Sequence, residues 1–190
     1  MKTTDWLNFL KENKEIKIFH IKHFYLLTKI PIHSLKVELM RLVKKGILKR
    51  ICKGYYANPF NLPSIEEIAS QIYYPSYISL ESALSYWGIL SQIPMVLTMV
   101  TIKLPFKIKT SFGIIEYRQI KKEYFWGFII KNNFFIAEKE KALADYIYFN
   151  RNLCNFSELH LEDIKKKKFK IYIKKMKIEE HRVKKWIMSL

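Results

Sequence analysis

Ten residues in one short stretch have the types and spacing that can meet a nucleic-acid duplex: His33, Ser34, Lys36, Val37, Arg41, Lys44, Lys45, Lys49, Arg50 and Lys53. Lysine and arginine neutralise phosphates, and arginine also reads the acceptor edge of guanine. Serine and histidine contact phosphate or base, and a small apolar side chain such as Val37 can touch a thymine methyl. Residues 32–45 carry a helical pattern. Leu35, Leu39, Leu42 and Val43 follow an i, i+4, i+7, i+8 spacing, which makes one apolar stripe. At 3.6 residues per turn the opposite face carries His33, Val37, Met40, Arg41 and Lys44, with Ser34 beside them. Pro31 suits a first helical turn, and Gly46 suits the left-handed position after a helix end. Residues 47–51 and 55–58 then read as a two-stranded ribbon turning at Cys52-Lys53-Gly54, where Gly54 can take positive φ. Lys49, Arg50 and Lys53 place three cations on that ribbon. A solvated surface helix followed by an ordinary hairpin gives the same local pattern, so the surrounding elements must decide.

Other chemistries are poorly represented. There is no G-x-S-x-G elbow, Walker-type loop or G-x-G-x-x-G, and the five glycines stand singly. His33, His160 and His181 have no Ser or Cys partner in a nucleophile context. His20 and His23 are three apart, a metal-ligand spacing. With no acidic or Cys partner nearby, they read as surface or groove-edge residues. The strongest enzymatic pattern is Asp145 with Asp163-Ile164-Lys165, since two-metal nucleases need carboxylates beside a lysine. Asp163 is expected on a polar helix and not at a strand edge, which argues against that reading. The expectation is a protein that is not an enzyme, with no metal, no cofactor and no small-molecule substrate.

The scaffold of the basic stretch begins at Thr4-Asp5, which can cap a helix over residues 6–13, buried through Trp6, Leu7, Phe9 and Leu10. A second helix is expected from residue 19 or 20 to 28, with Ile21, Phe24, Tyr25 and Leu27 apolar, followed by a turn at Thr28-Lys29-Ile30-Pro31. Helix, helix, helix and basic hairpin within residues 1–60 make a winged helix-turn-helix. Two prolines and two asparagines in residues 58–63 mark a boundary. Ser64 and Glu67 form an S-x-x-E capping box for a helix to about residue 73, with a break over 74–78. Ser79 is expected to cap a helix over 80–87 that Gly88 ends. The period then becomes two: strands are expected at 95–103, 112–119, 124–128 and 134–136, with a turn at Lys131-Asn132-Asn133. Residues 137–148 read as a helix with Ala142, Leu143, Tyr146 and Ile147 along one side. Glu138 and Glu140 suit its first turn, and Asp145 forms a surface ion pair with Lys141 one turn away. The tail from about 155 reads as helical, first from a Ser157 cap through 168, then over 178–190 with Val183, Trp186, Ile187 and Leu190 on one edge. The four-lysine run at 165–168 is a solvated face or a second phosphate contact. The expected fold class is therefore α+β: an N-terminal winged helix-turn-helix (1–60), then a mixed α/β domain (61–190) with a helical C-terminal tail.

Charge placement agrees with a polyanion partner. The net charge of +17 on 190 residues is concentrated at the ends: 13 Lys+Arg face 4 Asp+Glu in residues 1–60, 10 face 9 in 61–160, and 11 face 4 in 161–190. Of the 34 cations 29 are lysine, as an A/T-rich coding sequence gives, so placement carries more than the total. Arg41 and Arg50 are two of only five arginines. Cys52 and Cys154 lie far apart and are expected as free thiols in a reducing compartment. The first residues lack the pattern of an export signal, and the most apolar window, residues 93–102, is interrupted by Pro94 and is too short for a membrane span. A cytoplasmic, nucleoid-associated location with no membrane contact follows as the expectation.

Taken in order, four segments resemble the AbiEi-type antitoxins of bacterial type IV toxin–antitoxin (abortive infection) systems. They are Leu42-Val43-Lys44-Lys45-Gly46-Ile47-Leu48, then Lys53-Gly54-Tyr55-Tyr56, then Tyr77-Ile78-Ser79-Leu80-Glu81-Ser82-Ala83-Leu84 with Gly88 after it. The fourth is Ala137-Glu138-Lys139-Glu140-Lys141-Ala142-Leu143-Ala144-Asp145. The likeness spans residues 5–150 and does not extend to 155–190. It implies a transcriptional autorepressor whose winged helix binds double-stranded DNA at its own operator, expected to be an inverted repeat. It also implies a C-terminal domain that counteracts a nucleotidyltransferase-type toxin. The aromatic set Tyr73, Tyr74, Tyr77, Tyr86 and Trp87 supplies either a partner surface or core. The alternative is a stand-alone winged-helix regulator, or a protein-interaction module, without a toxin partner.

Overall fold

The computed structural model describes residues 2–150, 159–179 and 183, and among them are seven α-helices and two sheets. These fall into two units, Met1–Ile68 with Lys109–Gly113, and Ala69–Ile108 with Ile114–Leu190. No helix among the described residues is long and apolar enough to cross a membrane.

In the first unit, α1 (Thr3–Glu12) starts earlier than its sequence suggests. Lys2 is the N-cap residue, and Asp5 lies inside the first turn, where its carboxylate accepts the Lys2 backbone N–H at 2.8 Å. Thr4-Asp5 is thus helical, and the acid is placed where the positive end of the helix dipole favours it. Residues 18–20, expected at or near a helix start, form a strand, β1 (Ile18–His20), and α2 follows as Ile21–Thr28. β1 pairs with β3 (Tyr55–Ala57), which also pairs with β2 (Lys49–Cys52). The expected two-stranded ribbon is therefore a three-stranded antiparallel sheet in the order β1-β3-β2. A strand of three residues has no period of its own to read, and its partner lies far along the chain.

α3 (Ile32–Lys44) follows an N-cap at Pro31, one position earlier than a first-turn proline, and is followed by Gly46 at φ 71°. Leu35, Leu39 and Leu42 of its apolar stripe join Trp6, Leu10, Phe19, Phe24, Leu48 and Tyr56 in one core. The Phe19 and Phe24 rings stack at 4.7 Å, and Trp6 meets Phe24 edge-on at 5.8 Å. Burial of each large apolar side chain contributes roughly 1.5–3 kcal/mol, so this core fixes which face of α3 turns outward.

Asn58 ties the sheet back to α1. It is fully buried, and its Nδ2 lies 3.1, 3.0 and 3.1 Å from the carbonyls of Leu10, Asn13 and Ile16, so two hydrogens are shared among three acceptors. Its Oδ1 accepts the Phe60 N–H at 3.1 Å. The capping box forms as expected: Ser64 N–H donates to Glu67 at 2.9 Å and Glu67 N–H donates to Ser64 Oγ at 3.3 Å, opening α4 (Ile65–Ile72). Lys17 Nζ adds an ion pair to Glu67 at 2.7 Å.

The second unit is built on a six-stranded mixed sheet in the order β6-β7-β5-β4-β9-β8. Its strands are β4 (Ser76–Ile78), β5 (Val96–Thr101), β6 (Phe106–Thr110), β7 (Gly113–Gln119), β8 (Phe128–Lys131) and β9 (Phe134–Ala137). β5, β7 and β9 match expected strands, whereas β4 and β6 were not legible. The segment expected as a strand at 124–128 begins as a 3-10 turn, Lys122–Tyr124, before β8. Asn132 and Asn133, at φ 46° and 65°, make the two-residue turn between β8 and β9. α5 (Leu80–Tyr86), α6 (Lys139–Phe149) and α7 (Lys166–Lys175) complete the unit. α6 starts two residues later than expected because Ala137 pairs in β9 and Glu138 becomes the N-cap. The helix expected through 168 is not present over the described residues 159–165, where Asp163 lies in a turn; α7 instead starts at Lys166 and runs to Lys175, anchored by buried Phe169 and Ile173. The Ser157 cap and nearly all of the expected helix at 178–190 lie outside the described residues.

Candidate functional site

The buried leucine stripe turns the other side of α3 outward as one line. His33, Lys36, Val37, Met40, Arg41 and Lys44 are all exposed at alternating steps of three and one, and Ser34 is half-buried at its margin. Val37 keeps 44% of its surface and Met40 52%, which is high for apolar residues on a helix with a well-formed core face. Lys36, Lys44 and Lys53 make no ion pair or hydrogen bond among the described residues, so their charge faces solvent uncompensated.

Glu38 is the one acid on α3, and it is already engaged. The Trp6 indole N–H donates to its Oε2 at 2.6 Å and, with a smaller contribution from the Arg41 charge, holds the carboxyl below its usual range. Arg41 borders a depression of about 190 Å³ shared with Lys2, Thr3, Trp6, Glu38, Leu42 and Lys45. Lys45 leans toward α1 and donates to Thr3 Oγ1 at 3.2 Å.

The ribbon cations are not equivalent. Lys49 and Arg50 are strand neighbours and project to opposite faces, so a single surface takes one of them. Lys49 Nζ lies 4.0 Å from the Phe112 ring centroid, a cation–π contact within the first unit, while Arg50 Nε donates to the Cys52 carbonyl at 3.2 Å. The register shifts between Arg50 and Cys52, which leaves buried Ile51 as the extra residue of a bulge. Lys53 stands exposed at the turn.

His20 and His23 have a structural task that their spacing did not disclose. His20 is the N-cap of α2: its Nδ1 accepts the Lys22 N–H, and His23 Nδ1 accepts the His20 N–H, each at 3.3 Å. This is a capping box made of two imidazoles. The His20 ring also lies 4.7 Å from Tyr55, and the Ile21 N–H donates to the Gly54 carbonyl at 2.9 Å, so the ribbon turn is docked on the start of α2. Gly54 sits at φ 82°, where a Cβ would come within 3.3 Å of His20 Nε2. Burial, followed by the charges of His23 and Lys22, lowers the His20 pKa.

The second unit holds a buried polar group of four. Lys141 and Asp145, expected at the surface, are both fully buried and form an i, i+4 ion pair. The Tyr77 hydroxyl donates to Asp145 Oδ2 at 2.9 Å, Ser79 Oγ donates to the same oxygen at 2.8 Å, and Lys141 Nζ donates to the Tyr77 oxygen at 3.1 Å. Ser79 therefore spends its hydroxyl on α6 and makes no side-chain cap for α5. Burial pushes the Asp145 carboxyl up and the Lys141 ammonium down, and each is opposed by the other's charge. Glu138 and Glu140 likewise serve packing: Lys168 Nζ reaches them at 3.0 and 3.5 Å, and Tyr172 Oη donates to Glu138. Burial together with Glu138 pushes the Tyr172 hydroxyl up to about 12. Of the suggested aromatic surface, Tyr77 is core, while Tyr74 and Tyr86 are exposed.

Asp145 and Asp163 do not form a common acidic site. Asp145 has no exposed surface, whereas Asp163 is open to solvent and pairs with Lys139 at 2.7 Å. No group of three or more His, Cys, Asp or Glu side chains that could hold a metal ion occurs among the described residues. The chain matches no protein-family model, and a search of curated proteins finds no match to it.

Proposed function

We propose that the first unit is a winged helix-turn-helix, with α3 as recognition helix and the β2–β3 hairpin as wing, and that the protein is a sequence-specific DNA-binding autorepressor. The observation that carries this reading is the single exposed line of His33, Lys36, Val37, Arg41 and Lys44 along α3. Such a line suits the major groove: phosphate-seeking lysines lie outside, and an arginine and a small apolar side chain lie between them. The order of segments resembling AbiEi-type antitoxins extends the proposal to a type IV toxin–antitoxin system, in which the second unit counteracts a nucleotidyltransferase-type toxin.

The test is a gel shift with duplex DNA from the region upstream of the gene. The combined change Val37→Ala, Arg41→Ala, Lys44→Ala is expected to abolish the specific complex while leaving the fold intact. An undiminished shift would overturn the reading. The antitoxin part is tested by co-expression with the neighbouring reading frame: rescue from its toxicity is expected, and failure to rescue leaves a stand-alone regulator.

A second reading, a protein-interaction module, is favoured by one observation. Tyr25, Leu26 and Leu27 of α2 are exposed, as are Ile32, Val37 and Met40 of α3, an unusual number of apolar side chains facing water. Retention of a partner complex by the triple variant, with no DNA affinity in the parent protein, would select it.

A further inference from the structure

The cations in the middle of the chain are not evenly spread. Of the ten Lys and Arg in residues 61–160, six fall in residues 103–122 (Lys103, Lys107, Lys109, Arg118, Lys121 and Lys122), where Glu116 is the only acid. This basic segment contains β6, an outermost strand of the six-stranded sheet, whose one strand neighbour among the described residues is β7. One side of the β6 backbone therefore presents N–H and C=O groups with no strand partner. Beside it lies a shallow depression of about 390 Å³ lined by Pro105, Phe106, Lys107, Glu116, Tyr117 and Arg118, with Phe106 41% exposed. The depression already holds a carboxylate of its own: Glu116 is bound by Arg118 Nε at 2.9 Å and Lys107 Nζ at 3.7 Å. Lys107 remains 60% exposed in that pair, so solvent screens it and an outside carboxylate can compete.

We infer that the outer edge of β6 is a docking strand for an acidic, extended segment of a partner protein. The segment adds alongside residues 106–108 through main-chain hydrogen bonds, sets acidic side chains near Lys107, Lys103 and Arg118, and lays an apolar side chain against Phe106. One feature favours a peptide over a nucleic acid: a free strand edge offers a row of backbone groups that a duplex has no means of pairing. Lysine and proline at a sheet edge also serve to prevent unwanted pairing, and the experiment separates that role from docking.

The probe is a fluorescein-labelled octapeptide of alternating glutamate and valine, titrated with the full chain and followed by anisotropy. Two further peptides of the same charge carry N-methyl groups on alternate amides, one on each parity, so that one of them must lose the bonds to β6. Saturable binding is expected, weakened at least tenfold by one of the N-methylated peptides and at least tenfold by Lys107→Glu, with the affinity for a 20-base-pair duplex unchanged. If Lys107→Glu lowers the melting temperature, Lys103→Glu replaces it. Absence of saturable binding would leave the lysines as edge guards and overturn the proposal. So would equal binding of all three peptides, which reports bulk charge alone, or a Lys107→Glu effect on duplex and not on peptide. Loss of duplex binding in α3 variants bears on the repressor reading and not on this one.

Discussion

Lys141 and Asp145, one turn apart on α6, form an ion pair with no solvent-exposed surface on either side chain. The pair is closed from the β4 side by Tyr77 and Ser79, so the sheet and α6 are joined by a hydrogen-bonded polar group inside an apolar core. Replacing one partner leaves a buried charge uncompensated. Asp145→Ala and Lys141→Met are each expected to cost about 3–5 kcal/mol, and the double replacement less than the sum of the two. Urea unfolding of the four proteins checks this, and strict additivity would contradict the coupling.

Gly127 lies against the stem of that lysine. It takes φ 76°, and a Cβ there would stand 3.0 Å from Lys141 Cγ. Gly127→Ala is expected to destabilise by about 1–3 kcal/mol through backbone strain, with an added cost from displacing Lys141. The melting temperature of the variant gives the answer, and an unchanged value would show that the lysine stem can yield freely.

Asn58 is expected to be the most sensitive polar residue of the first unit. Asn58→Ala removes the donor to three carbonyls and should cost about 1–3 kcal/mol for the unsatisfied groups. Asn58→Asp places an acceptor against those same carbonyls, so it should cost more at neutral pH than at low pH, where the carboxyl regains a proton to donate. Denaturant titrations at two pH values separate the two variants.

The imidazole cap of α2 gives the first unit an acid-sensitive element. The folded His20 pKa is lowered, chiefly by burial, so the folded state binds this proton less readily than the unfolded chain does. Its contribution is therefore fully present above the unfolded value of about 6.5 and is lost as pH falls through the lowered folded value. Protonation at Nδ1 also removes the acceptor for the Lys22 N–H. His20→Asn keeps a capping acceptor without a titrating group, so the stability difference between pH 7 and pH 5 should shrink by about 1 kcal/mol. Stability–pH curves of the two proteins decide it.

The proposed DNA-binding reading requires the cations to separate into two classes. Lys44→Ala and Lys53→Ala remove uncompensated charges, and each is expected to flatten the log–log salt dependence by about one unit. Lys45→Ala and Lys49→Ala remove ammonium groups held by Thr3 and by the Phe112 ring and should change the slope less. Arg41→Ala or Val37→Ala should instead relax base choice by about 1–3 kcal/mol. Anisotropy titrations over a salt series with operator and scrambled duplexes measure both quantities.

The features legible in the chain are those whose partners lie within a few residues. The leucine stripe of α3, the Ser64–Glu67 box and the Asn132-Asn133 turn follow from local hydrogen bonds and periodicity, and the structure shows each of them. β1 and β4 are three-residue strands stabilised by ladders to distant segments, so their own residues carried little signal. Burial was the second limit. The spacing of Lys141 and Asp145 reads as a surface pair, and Ser79 reads as a cap, until β4 closes over α6 and excludes water. Residue order alone gives α3 one apolar and one basic face. Tertiary packing decided which cations stay unengaged and which polar residues are sealed inside, because only a folded core brings the acceptors, rings and carboxylates that claim them.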